Sequence, residues 1–211
     1  MMVKSFKELA ERAQAMASKT RIALACAHDR HSLEAVATAR RDGIAESVLI
    51  GHSKEIKEIL DELGESVSDY ELISCGGIAQ SIKTAAELVR GGDAGIVMKG
   101  KMETSDIMRG ILNHESGLRT DRSLSVTGIF EIKAYHKILG ASDVAIAPYP
   151  DLQGKVSILT NAVDLFHALG HDCPKVAVLA AVEKVNPKMP ETVEADELKQ
   201  MNLRGELPGC V

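Results

Sequence analysis

The sequence has no tryptophan, three tyrosines and three phenylalanines, so aromatic residues make up only 3% of it. A core without them must be filled by Ala, Val, Ile, Leu and Met, which suits helices packed on a parallel sheet. Positive charge is not in excess either: 25 Lys and Arg stand against 30 Asp and Glu, a formal charge of −5 with a pI near 5.8. Binding a phosphate backbone needs a broad basic face, so nucleic acid is excluded as a partner, while a local cationic pocket is not. The four cysteines, Cys26, Cys75, Cys173 and Cys210, contain no Cys-x-x-Cys pair. This disfavours a metal site or a disulfide framework and fits a reducing cytoplasm. No apolar run reaches the length of a membrane span, which argues against a membrane partner. Residues 1–18 carry Lys4, Lys7, Glu8, Glu11 and Arg12 among apolar positions, an amphipathic helix and not a signal peptide. Internal repeats and low-complexity tracts are absent as well.

What is present is a chain of 211 residues, 45% hydrophobic, which is enough to bury a substantial core. Strand-like runs at residues 21–27, 47–51, 71–74 and 95–98 alternate with helical patterns at 31–41, 53–63 and 78–89. This is the pattern of an α/β fold with a parallel sheet. Ser53 is the expected N-cap of its helix, Gly64 its close, and Gly91-Gly92 ends the next one. After Asn113 a polar connection, including His114-Glu115-Ser116-Gly117 and Arg119-Thr120-Asp121-Arg122, separates a second unit. There the pattern predicts strands at 123–132, 144–147 and 175–181 and helices at 152–169 and 191–201. Two domains follow, 1–122 and a smaller 123–211. The chain stops at Pro208-Gly209-Cys210-Val211, where an α/β pattern delivers another strand, so the fold is expected to be incomplete at the C-terminus.

In an open α/β sheet, ligands bind beyond the carboxyl ends of the strands. The strand at 95–98 runs into Lys99-Gly100-Lys101 and then a helix expected over 105–113. Two lysines, a glycine that permits close backbone approach and a free helix N-terminus capped by Thr104 or Ser105 together suit an anion. Arg109 lies about one turn into that helix. The competing reading is an ordinary Asp106–Arg109 surface pair beside two solvated lysines, and spacing alone leaves the two open. No Gly-x-x-x-x-Gly-Lys-Ser/Thr and no Gly-x-Gly-x-x-Gly occurs, which argues against nucleotide hydrolysis and dinucleotide binding. His28, Asp29 and His31 follow the first strand. They are read as capping the next helix, with Asp29 or Ser32 as the cap, in preference to a metal site or a general base. Asp143, Lys155, Asn161, Glu183 and Asn186 stand near ends of second-unit elements, where a solvated surface is the simpler account of each.

Four blocks taken in order carry a resemblance: Met98-Lys99-Gly100-Lys101; Thr104-Ser105-Asp106 with Arg109; Gly117-Leu118-Arg119-Thr120 with Leu124-Ser125; and Val176-Ala177-Val178-Leu179-Ala180-Ala181-Val182-Glu183 with Asn186-Pro187-Lys188-Met189. Together they resemble the phosphate acetyl/butyryltransferase family, its butyryl branch most closely. The resemblance implies a two-domain fold like that of the isocitrate and isopropylmalate dehydrogenases, and reversible acyl transfer between coenzyme A and phosphate. Coenzyme A is then a co-substrate, with no tightly bound cofactor and no metal, and the protein is a cytoplasmic homodimer pairing through its second domain.

By position, Arg109 becomes the catalytic arginine that holds phosphate. Lys99, Gly100, Thr104, Arg119 and Ser125 become substrate contacts. Ala147 stands where relatives often have Asn, which removes a contact from that loop. Relatives also continue past the position of Val211 with residues tied to catalysis and coenzyme A. A non-catalytic module that binds coenzyme A or acyl phosphate, and a metal-dependent dehydrogenase of related fold, are the alternative readings.

Overall fold

A computed structural model of the chain describes residues 2–114 and 118–211, so Glu115, Ser116 and Gly117 of the polar connection lie outside the described residues. The chain divides into two compact units, Ala10–Thr120 and Met1–Leu9 together with Asp121–Val211.

The first unit is built on a four-stranded parallel sheet: β1 (Thr20–Ala25), β2 (Ala45–Gly51), β3 (Glu71–Ser74) and β4 (Ile96–Lys99), in the order β3-β2-β1-β4. It carries α2 (Arg30–Arg41), α3 (Ser53–Glu62), α4 (Ile78–Gly91) and α5 (Thr104–Ile111), while α1 (Phe6–Gln14) precedes β1. Side chains of a strand alternate between faces, and here they sort into two cores. Leu24 and Leu49 join Leu33 and Val36 of α2 and Ile56 and Leu60 of α3. Ala23, Ala25, Val48 and Ile50 face the other way and pack with Ala85 of α4. Burial on both faces explains why β1 and β2 read as continuous apolar runs and not as alternating ones.

The strand and helix expectations for this unit hold to within two or three residues at each end, and the corrections fall at helix caps. Ser53 is the first helical residue of α3 and His52 is its N-cap, without a side-chain cap bond. Asp29 does cap α2, accepting from the Ser32 N–H at 3.1 Å.

The second unit pairs β5 (Gly128–Phe130) with β6 (Leu139–Ala141) in antiparallel register and adds α6 (Leu152–Ala168) and α7 (Pro190–Leu203). Its core centres on Val3, Ile138 and Leu169, with Leu9, Ile129, Leu165 and Phe166 packed against them. The first residues of the chain are tied in by hydrogen bonds as well: the Val3 N–H donates to the Leu169 carbonyl at 2.9 Å and the Phe6 N–H to Glu131 at 2.7 Å.

Three strand expectations fail in this unit. The run at 123–132 shortens to Gly128–Phe130. Residues 144–147 form a turn instead, because the Asp143 carboxylate accepts the N–H groups of Ala145, Ile146 and Ala147 at 2.7, 3.1 and 2.9 Å, which consumes donors that a strand needs. Residues 175–181 remain irregular, with Leu179 88% exposed. The Val176 N–H meets the Val211 carbonyl at 2.7 Å and the Val211 N–H meets Pro174, but no ladder extends along the run among the described residues. An apolar run forms a strand only beside a neighbour that accepts its backbone groups.

Leu49 is fully buried in the middle of the sheet. Leu49→Ala is expected to lower the stability of the sheet unit by about 2–5 kcal/mol, read as the shift of its cooperative urea transition. A shift under about 1 kcal/mol would mean that the site collapses around the void or is less packed than described.

Burial works against the charge of the Asp143 carboxylate, but backbone hydrogen bonds from Ala145, Ile146, Ala147 and Val126 together outweigh it and hold its pKa below the ordinary range. A folded value below the unfolded one stabilises the turn fully above pH ~4, and the contribution fades as pH falls through the lowered value. The carboxyl carbon of Asp143 should titrate below a free aspartate, with the Ala145–Ala147 amide signals moving in step. An ordinary midpoint would contradict the turn.

Candidate functional site

The strand order places β1 between β2 and β4, with the connection from β1 leading to α2 on one face and β4 leading to α5 beside α4 on the other. Such a reversal opens a crevice outside the carboxyl ends of the two central strands. A cleft of about 850 Å³ lies there, lined by His28 and Asp29 after β1 and by Lys99, Lys101, Glu103 and Asp106 after β4, with Ile59 and Ile78 as apolar walls.

The end of β1 is bent to make this opening. Cys26 has a positive φ of 54°, uncommon for a residue with a side chain. Its N–H donates to the buried Ser81 hydroxyl of α4 at 2.7 Å, and that hydroxyl donates to the Ile50 carbonyl at 3.3 Å. Ala27 extends the sheet by one further bond, its N–H to the Ile50 carbonyl at 2.9 Å. Cys26 is 2% exposed, and burial pushes its thiol up from its ordinary pKa.

The Lys99-Gly100-Lys101 turn is held against that bend. The N–H groups of Gly100 and Lys101 donate to the Ala25 and Cys26 carbonyls at 2.7 and 3.0 Å, and Met102 donates to Gly100 at 2.9 Å. A Cβ on Gly100 would stand 2.2 Å from the Cys26 carbonyl oxygen. The missing side chain of Gly100 makes room for the protein's own backbone, and its N–H bonds within the protein. Lys99 turns back on the loop, donating to the Met102 carbonyl at 3.0 Å.

Helix α5 starts at Thr104 with Glu103 as its N-cap and no side-chain cap bond, so neither Thr104 nor Ser105 is the cap. The helix is shorter than expected, and Arg109 falls in its last turn, where a cation suits the dipole. Its guanidinium donates to Asp106 at 3.3 Å, and the arginine side chain is 77% exposed. The Asp106–Arg109 surface pair is therefore present.

The remaining candidates are dispersed. Arg119 contacts the His114 ring at 3.2 Å. Ser125 belongs to the other unit, where Asn161 donates to its hydroxyl at 3.0 Å and to the Ser123 carbonyl at 3.0 Å. Lys155 is paired with Glu194, and Asn186 accepts from the Lys188 N–H at 3.0 Å within its own turn. Glu183 is exposed in the irregular segment. Gly117 lies outside the described residues. No group of three or more His, Cys, Asp or Glu among the described residues is arranged to hold a metal ion. No helix among them is long and apolar enough to cross a membrane.

Lys99 and Gly100 line the cleft together, as neighbours in sequence, whereas Thr104 starts α5 and is not among the lining residues. His28 joins them only through the strand order, which sets β1 beside β4 and which no local sequence pattern encodes.

Residues 77–211 match the family described as phosphate acetyl/butaryl transferase. The chain is 40% identical over 210 residues to a phosphate butyryltransferase of Clostridium acetobutylicum, covering 100% of this chain and 69% of that protein. It is 37% identical over 205 residues to a phosphate acetyltransferase of Thermotoga maritima, covering 97% of this chain and 69% of the other. Its fold is similar to the crystal structure of a branched-chain phosphotransacylase from Enterococcus faecalis, with a TM-score of 0.76 at 24% identity, over 91% of this chain and 66% of that one.

Gly100→Ala forces the turn and the Cys26 carbonyl apart. A loss of about 1–3 kcal/mol is expected from the clash, with displacement of the Lys99 and Lys101 amide signals. Wild-type stability with unmoved signals would show that the backbone approach is looser than 2.2 Å implies.

Proposed function

This chain belongs to the phosphate acetyl/butaryl transferase family, and from that premise we propose that it catalyses reversible transfer of a short acyl group between coenzyme A and phosphate. Acyl-CoA and phosphate give acyl phosphate and free coenzyme A. The observation that carries this reading is the cleft at the switch point, where Lys99 and Lys101 line one opening at the start of α5.

In the reaction a phosphate oxygen attacks the thioester carbonyl carbon, and the new C–O bond turns the carbonyl oxygen into an oxyanion. Collapse of that intermediate breaks the C–S bond, and coenzyme A leaves as a thiolate that takes up a proton. A nearby cation stabilises the oxyanion. Arg109 is assigned to phosphate: an arginine has five N–H donors in a fixed fork, of which Asp106 takes one. Lys99 and Thr104 are assigned as substrate contacts from the same turn and helix start, and Arg119 and Ser125 by resemblance alone. Gly100 serves by letting the turn seat against Cys26.

The reading also includes a two-domain fold of the isocitrate and isopropylmalate dehydrogenase kind with a boundary near residue 122, coenzyme A as a co-substrate without a tightly bound cofactor, pairing into a homodimer through the second domain, and a cytoplasmic location. These rest on family membership.

Butyryl-CoA and phosphate are the probes for the test, with free thiol as the readout. Phosphate-dependent thiol release is expected, and Arg109→Ala should raise the KM for phosphate at least about tenfold, the scale of a lost charge-assisted pair. An unchanged KM removes Arg109 from the site. Binding of coenzyme A without any phosphate-dependent release would replace catalysis by the binding-module reading.

A further inference from the structure

His28 is the group in the cleft that the acyl-transfer reading does not use. Its ring lies against His52, with centroids 4.8 Å apart and planes tilted by 58°. Nδ1 is buried and has no hydrogen-bond partner. The cause is the end of β2: Gly51 has a φ of 153° and a Cβ there would stand 3.0 Å from Nδ1, so this edge of the ring is pressed onto backbone. Water does not reach it.

A proton on Nδ1 would be an N–H buried with nothing to accept it, whereas a proton on Nε2 sits on the ring edge away from that packing. The ring as a whole lines the cleft with Lys99, Gly100 and Lys101. Burial of one nitrogen therefore decides what the other offers.

We propose that His28 is a further ligand-binding residue, which presents Nε2–H as a hydrogen-bond donor to an oxyanion held over the Lys99–Gly100–Lys101 turn. The proposal rests on the reading of this cleft as the site for phosphate or acyl phosphate.

The surroundings keep the ring uncharged. Burial lowers its pKa below the ordinary histidine value. Glu55 opposes that effect, His52 and Lys101 reinforce it, and Asp29 opposes it weakly. Glu55 is shared with His52, 3.5 Å from its Nδ1. Asp29 is committed to Ser32, accepting from both its N–H and its hydroxyl. His28 thus supplies direction and not charge. It fixes where an oxygen sits, while the lysines supply the attraction.

The test uses the intact chain labelled with 15N in its imidazoles, with His28 signals assigned by their loss in His28→Gln. In ligand-free protein at neutral pH, the two-bond couplings should identify a neutral ring protonated at Nε2. Titration with inorganic phosphate should then shift the His28 Nε2 signal. His28→Leu, which fills the volume without a donor, should weaken phosphate binding about tenfold, equivalent to ~1.4 kcal/mol. His28→Gln, which restores an amide donor near the Nε2 position, should recover most of that loss.

A ring protonated at Nδ1, or a charged ring at neutral pH, overturns the proposal whatever phosphate does. Equal phosphate affinity in wild type, His28→Leu and His28→Gln overturns it and leaves the phosphate reading standing. No phosphate binding by the wild type overturns both. Both variants must retain the cooperative unfolding of the wild type. If His28→Leu does not, the tautomer and the phosphate-induced Nε2 shift in unmodified protein decide the matter alone.

Discussion

Everything at the cleft depends on how closely β4 runs past the end of β1. Register sets Lys99 opposite Ala25, so the next residue along, Gly100, arrives beside Cys26 just where the latter bends. With 2.2 Å between a hypothetical Cβ and the Cys26 carbonyl oxygen, no other residue fits without displacing backbone. The bend itself costs roughly 1–3 kcal/mol for a residue with a side chain at positive φ. Bonds from Cys26 to Ser81 and from Lys101 to Cys26 offset it. Gly51 meets the same segment from the other side, under His28. Gly51 at the end of β2 and Gly100 just past β4, on either side of β1, thus hold one loop, and the cleft is what that loop leaves open.

This arrangement changes which groups can serve a ligand. A glycine turn before a helix suggests backbone N–H groups aimed at an anion, yet those of Gly100, Lys101 and Met102 all bond within the protein. They make the turn rigid and unavailable. What faces outward is the side-chain set: Lys101, the first turn of α5 and the His28 ring, with Lys99 clasped over the turn. Attraction and orientation therefore come from different residues, and the backbone provides the frame.

The sheet unit was legible because its strands are buried on both faces, which writes them as uninterrupted apolar runs such as Val48-Leu49-Ile50. The helices between them are amphipathic, and Asp29 announces α2 by a capping bond that depends on three residues only. The second unit was less legible for the same physical reason in reverse. Residues 175–181 have strand composition but little backbone partner, and Ala145, Ile146 and Ala147 lose their N–H groups to Asp143. Composition records what a segment would bury, not whether a neighbour is there to pair with it. The cleft divides along the same line: Lys99 to Glu103 are consecutive in sequence, whereas His28 reaches them only through the order β3-β2-β1-β4.

Arg109 illustrates how a surface pair and a ligand site need not be alternatives. Its bond to Asp106 is an exposed i,i+3 pair, with the arginine side chain 77% exposed. Pairs of this kind contribute about 0.2–1 kcal/mol, because water competes for both charges and the long side chain must be held still. A bidentate bond to a phosphate is stronger and shorter. The balance therefore favours exchange: Asp106 keeps the guanidinium near one place on α5 at little cost to its release, and a doubly charged tetrahedral anion would outcompete a single carboxylate oxygen at 3.3 Å. A buried and fully bonded arginine would be better ordered and worse suited, since several kcal/mol would have to be given up before it could turn to a ligand. Under the acyl-transfer reading, the weakness of the Asp106–Arg109 contact is what leaves Arg109 free to act.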